Sequence, residues 1–253
     1  MPNWCENQAT LIGTTDQIKD VITTMTVTGD SDQSVSIVAI EPMPEILSGF
    51  SSPAPTTPEP DERWAEWVAE GTWTQEHYDE RVAQQRSHYE LSQKALAETG
   101  FRDWWDWQTS VWGVKWGDCH TYIEGHGKMI VAGEDREWTE LRYETPWGPF
   151  ADEFWERFTT NTGLIVVETF HEPGMCFAGA RAFQDGKIVF DVSSDYDTII
   201  PDFGEKMDAW YESDMSDDCP DLAIYDWMDE QETFALKVVS VSHTTTLEDV
   251  PTT

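Results

Sequence analysis

Residues 164–192, LIVVETFHEPGMCFAGARAFQDGKIVFDV, decide the fold class. Leu164 to Phe170, Met175 to Phe183 and Lys187 to Val192 are short runs rich in branched and aromatic residues, and each reads as a strand. Only Gln184-Asp185-Gly186 separates the last two, so they form a hairpin. A sheet built through such short connections is antiparallel or mixed.

Working upstream, Phe150 to about Thr160 sets Phe150, Phe154, Trp155 and Phe158 on one helical face. The turn Thr145-Pro146-Trp147-Gly148-Pro149 leads into it, and Trp138 to Glu144 alternates as a strand does. Thr121 to Glu124 and Lys128 to Ala132 predict a hairpin around Gly125-His126-Gly127. At the other end, residues 7–13 predict a first strand closed by Gly13. Thr15 to Met25 follows as a helix, capped by Thr14 or Thr15, with Ile18, Val21, Ile22 and Met25 on one face. A strand over Val35 to Ile40 follows a Gly29-Asp30 turn and ends at Glu41-Pro42-Met43-Pro44. This order predicts an α+β sandwich with the helices on one face of the sheet.

Two segments stand outside that plan. Residues 48–60 are a linker rich in proline and serine, and 61–99 reads as helical. A short helix there carries Trp64, Trp67 and Val68. A longer one runs from Thr74 to Glu98 and ends at Gly100, with the thin stripe Tyr78, Val82, Tyr89 and Leu96. Residues 48–100 are therefore an insertion. Residues 193–253 form an acidic extension with short docking helices, a final strand over Phe234 to Ser242, and a frayed threonine-rich end from Thr244.

The chain has 253 residues, 49 acidic and 15 basic, for a net charge of −34. Hydrophobic content of 39% suffices for a core, so this is not a disordered acidic chain. The field repels nucleic acid and anionic membranes, which excludes direct binding to either. Two explanations of the charge stand. A carboxylate surface imitates the phosphate array of DNA and occupies the basic groove of another protein, or a salt-rich (halophilic) host selects acidic, lysine-poor surfaces. Only seven lysines are present. The four cysteines, Cys5, Cys119, Cys176 and Cys219, form no paired motif, and no leader or membrane span is read, so a soluble cytoplasmic protein is expected.

Met1-Pro2-Asn3-Trp4-Cys5-Glu6-Asn7, Glu41-Pro42-Met43-Pro44, Trp112-Gly113-Val114-Lys115-Trp116, Tyr143-Glu144-Thr145-Pro146-Trp147-Gly148-Pro149 and Phe177-Ala178-Gly179 occur in that order. Together they resemble the phage- and plasmid-borne YubB-type ferredoxin-like domain family over residues 1–47 and 101–192. The resemblance implies a ferredoxin-like core and an origin in a mobile element, and it implies no reaction. Val114 stands where the family's Trp-Gly-Thr-Lys-Trp has threonine, and Asp118 lies one place away from the family's Asn or Asp.

Five tryptophans fall within residues 104–116. On a helix, Trp112 and Trp116 share a face beside Lys115, so Trp112, Lys115, Trp116, Asn3 and Trp4 are candidates for a ligand platform. The competing reading packs Trp4, Trp104, Trp107, Trp112, Trp116 and Trp147 as a core under the sheet. Cys119, His120, His126, His171 and Cys176 show no standard zinc spacing, so neither metal nor cofactor is expected. No phosphate loop, nucleophile elbow or paired His-Glu motif occurs, which argues against an enzyme. Residues 195–232 hold 14 acidic residues and one lysine. There Asp208, Glu212, Asp214, Asp217, Asp218, Asp221, Asp226, Asp229 and Glu230 form the candidate interaction surface. The expected function is a non-enzymatic accessory protein of a virus or mobile element. It would bind a host or viral protein, such as a basic nucleic-acid-binding enzyme, as a DNA mimic. A virion-associated structural role and small-ligand binding at the tryptophan segment are the alternatives.

Overall fold

A computed structural model describes residues 3–28, 33–49, 52–213 and 219–241. The Gly29-Asp30 turn, the end from Thr244, and Asp214, Asp217 and Asp218 lie outside them. The chain divides into two units, residues 1–41 with 112–253, and residues 42–111.

The larger unit begins with β1 (Trp4–Gly13) and α1 (Thr15–Met25). Thr14 and Gln17 close a capping box at the start of α1: the Gln17 amide donates to Thr14 Oγ1, and the Thr14 amide donates to Gln17 Oε1. A small ribbon of β2 (Thr26–Thr28) and β3 (Gln33–Val35) follows. Then come β4 (Cys119–Val131), β5 (Glu134–Pro146), α5 (Asp152–Thr162), β6 (Ile165–Glu172), β7 (Phe177–Gln184) and β8 (Lys187–Asp195). The sheet order is β4-β5-β1-β6-β7-β8, antiparallel throughout. The four strands β1, β4, β5 and β6, with helices α1 and α5, have the split βαβ arrangement of a ferredoxin-like core. Strands β7 and β8 extend it beyond β6.

Helix α5 packs on one face of the sheet. Trp155 lies within 5.1–5.9 Å of Phe150, Phe154 and Phe158, and these rings, with Phe183, are almost wholly buried. This is an aromatic core of the larger unit, and Trp116, 46% exposed, stands outside it. Beneath Trp155 the fully buried Glu168 accepts from Tyr143 Oη, Trp155 Nε1 and Arg181, its cross-strand neighbour. Arg181 also reaches Asp152 and the Phe150 carbonyl. Burial acts against its charge, but Glu168 and Asp152 outweigh this and raise its pKa. Burial, with Glu168, likewise pushes the Tyr143 phenol up.

The acidic extension folds as α6 (Tyr196–Ile199), α7 (Phe203–Glu212) and α8 (Leu222–Val241). Of the strand expected over Phe234 to Ser242, the described part, Phe234 to Val241, is instead the last part of α8. Ala235 and Val239, one helical turn apart, pack on Ile12, Val131, Val167 and Ala182 on the face opposite α5. The single-face arrangement thus holds for α1 and α5, while the extension covers the other face. Tyr196, Ile200, Phe203, Ile224 and Met228 form a second buried cluster with Ala178.

Two further expectations need correction. Residues 119–131 are one strand, and the β4–β5 turn is at Ala132-Gly133, both left-handed. Gly125 and Gly127 are strand positions across which the Trp138 indole lies; a Cβ at Gly127 would come 2.9 Å from that ring. Val35 to Ile40 is not a strand beyond Val35. Ile37 to Ile40 coils as a 3₁₀ turn because Asp118 captures the amides of Ile37 and Val38, both at 3.0 Å.

The smaller unit holds α2 (Glu62–Ala69), α3 (Gln75–Thr99) and α4 (Trp104–Val111). Gly100, at φ +84°, ends α3 as the sequence predicts. Trp64 and Trp67 close on Trp73 at 5.9 and 4.9 Å. The linker is not wholly exposed: Ala54 is buried, and its amide donates to Asp103 at 2.7 Å.

Candidate functional site

Helix α4 ends at Val111, so residues 112–118 are a loop and Trp112 and Trp116 do not share a helical face. Gly113 and Gly117 turn it at φ +82° and +73°, and a Cβ at Gly113 would lie 2.6 Å from the Ala151 amide nitrogen. Asp118 ties the loop to residues 36–38 and to Thr121. Trp112 is 4% exposed and donates from Nε1 to the Glu41 carbonyl, which makes it a packing residue.

Of the other platform candidates, Lys115 and Trp116 come together, whereas the Asn3 side chain lies against Gly174. Trp116 and Trp147 are 46% and 49% exposed, with centroids 6.1 Å apart. Lys115 Nζ sits 4.0 Å from the Trp116 ring and 5.9 Å from that of Trp147. The Trp147 amide donates to the Asn3 carbonyl at 2.8 Å, and the Trp4 ring lies 6.3 Å from His120. Trp116, Trp147 and His120 all hold left-handed backbone, at φ +70°, +67° and +52°. Each such position costs about 1–3 kcal/mol, and strain of this kind gathers at functional sites. Trp147 and His120 were not among the platform candidates. The signal for Trp147 lay in its position between Pro146 and Gly148: a side chain carried on a tight turn is poorly placed to enter a core.

Beside this cluster, on the α8 face of the sheet, lies a cleft of about 350 Å³. Its floor is a cross-strand row in which Glu144 of β5 pairs with Glu6 of β1, and Glu6 pairs with His171 of β6. A bulge at the start of β4 brings His120 Nδ1 to 2.8 Å from Glu144. His171 is buried, with Nε2 at 3.3 Å from Glu6 and Nδ1 at 3.0 Å from Tyr196 Oη. The His171 hydrogen bond lowers the Glu6 pKa against the opposing effect of burial. Arg142 donates from Nε to Glu124 at 3.0 Å and lies 3.6 Å from Glu140. Tyr122 on β4 and Tyr225 on α8 flank the cleft.

Among the zinc candidates, His120 and His171 both line this cleft, whereas Cys119, His126 and Cys176 do not. Among the described residues, no three His, Cys, Asp or Glu side chains gather in metal-ligand geometry. No described helix is long and apolar enough to cross a membrane. Burial pushes the Cys5 thiol well up, with Glu168 and Glu172 adding to the effect, so a thiolate nucleophile there is disfavoured. Of the acidic candidates, Asp208, Glu212, Asp226, Asp229 and Glu230 are exposed and Asp221 is half-buried.

No protein-family model matches the chain, and no curated protein matches it. Among solved structures it is similar to the crystal structure of protein api92 from Yersinia pseudotuberculosis, described under the family model DUF1281. The two share 10% identity and a TM-score of 0.36, over 77% of this chain and 98% of that one.

Proposed function

We propose that this chain is a non-enzymatic binding protein that captures a basic protein partner on its acidic surface, as a mimic of DNA. The YubB-type resemblance suggests its setting, a virus or mobile element, with a nucleic-acid-binding protein of the host or the element as the partner. One observation carries the reading. Thirteen of the 34 net negative charges belong to residues 195–232, and the helices there are docked, not loose. Asp208, Glu212, Asp226, Asp229 and Glu230 are exposed on α7 and α8, whose other sides are packed. A mimic needs carboxylates held in place, since duplex DNA presents a charge about every 1.7 Å of its axis.

Neutralisation is a cleaner perturbation than deletion, because removing residues 195–232 would also remove Tyr196, Phe203, Ile224 and Met228 from the core. The wild-type chain at low salt is expected to retain a basic nucleic-acid-binding protein from host lysate and to release it to added duplex DNA. The D208N/E212Q/D226N/D229N/E230Q chain is expected to lose it. Retention that ignores both neutralisation and duplex DNA refutes the reading.

A further inference from the structure

We propose that the cleft on the α8 face is a receptor for a guanidinium group, the arginine side chain of a basic protein partner. The inference rests on the reading of the chain as a binder of basic proteins, and it specifies where one residue of that partner enters.

The row on the cleft floor sets two like charges, Glu6 and Glu144, directly opposite each other on adjacent strands. Such a pair is unfavourable on its own and calls for positive charge between or above it. His120 and His171 flank the pair from its two ends, at 2.8 and 3.3 Å, leaving the centre of the row to the carboxylates. Three glutamates line the cleft against one constant cation, Arg142, which Glu124 already engages. An anionic guest is therefore repelled. A bare metal ion lacks converging ligands among the described residues. An uncharged apolar guest would cover the floor carboxylates without offering them a partner.

An organic cation fits the remaining chemistry. Tyr122 and Tyr225, 54% and 41% exposed, both line the cleft, Tyr225 in edge contact with His171, and an aromatic ring is a partner for a cation. A guanidinium suits the floor better than an ammonium does, because its planar fork reaches carboxylates on two strands about 5 Å apart while its face stacks on an aromatic ring. The cleft volume of about 350 Å³ is ample for a single side chain.

Titration calorimetry of the full chain with N-acetylarginine amide at low salt tests this. Saturable binding in the millimolar range is expected, with the isosteric, uncharged N-acetylcitrulline amide at least tenfold weaker. Glu6→Gln and Glu144→Gln should each weaken binding at least tenfold. Glu144→Gln removes a like-charge opposition, so its thermal midpoint should not fall, which shows that the loss is not unfolding. The variant with the neutralised extension should bind the amide within about twofold of wild type. Equal binding of the citrulline amide, unchanged affinity in both Gln variants, or no binding of the arginine amide each overturns the proposal. Retention of a basic protein from lysate without arginine amide binding refutes the cleft alone. Arginine amide binding without such retention refutes the DNA-mimic reading alone.

Discussion

On the α5 face, Glu168 and Arg181 sit opposite each other on neighbouring strands under Trp155, closed off from water. On the α8 face, Glu6 and Glu144 sit opposite each other on neighbouring strands and open to a cleft. The register is of the same kind, but the sign of the opposing group differs, and so does the use. A sealed pair of opposite charges completes its own hydrogen bonding and becomes part of the core. An open pair of like charges leaves electrostatic demand that a bound group can satisfy.

Removing one member of the sealed pair should give the largest effect. Arg181→Met leaves Glu168 buried and uncompensated, at an expected cost of about 3–5 kcal/mol in urea unfolding. A loss below about 1 kcal/mol would erase the distinction between the faces. Ala235→Asp puts a new charge under α8 and should cost about 3 kcal/mol or more. Amide exchange should then speed up along α8 while the α5 face stays protected.

Glu232 sharpens the contrast in the opposite direction. It accepts from Thr10 Oγ1 at 3.2 Å, yet burial raises its pKa, with Glu140 and Asp229 adding to the rise. A raised acid favours the fold below its unfolded pKa, and that contribution is lost as pH rises through the folded pKa. Glu232→Gln should therefore stabilise the protein at neutral pH by about 1 kcal/mol, or roughly 2–4 °C, with the gain fading on acidification. Glu6 has the reverse sign: its lowered pKa contributes stability above its unfolded pKa, lost as pH falls. A loss of similar size belongs to the platform. Trp116→Ala and Trp147→Ala should each cost about 1 kcal/mol, well below a core aromatic, because about half of each ring is already exposed.

Local pattern made much of the fold legible. The α1 and α5 stripes, the β6–β8 run and the Gly100 stop lie where periodicity and turn chemistry put them. The misreadings have separate causes. Gly125 and Gly127 read as a turn, but there the absence of a Cβ makes room for Trp138, whose approach is a tertiary fact. Phe234 to Ser242 reads as a strand, but Ala235 and Val239 belong to α8, where the apolar surface of the sheet beneath receives them. Within the candidate site, Lys115 and Trp116 were visible as a dense aromatic segment. The Glu6–Glu144 row was not, since it depends on a register joining residues 138 apart.

The place of α8 in the chain also bears on how the protein is made. Ala235 and Val239 complete a core cluster whose other buried members, Ile12, Val131, Val167 and Ala182, are all translated earlier. A growing chain can pair its six strands and seat α5 while one face of the sheet still lacks its cover. For that interval the nascent protein exposes apolar surface that invites self-association. Premature termination before residue 235 should therefore yield chains with an assembled α5 face and a strong tendency to aggregate.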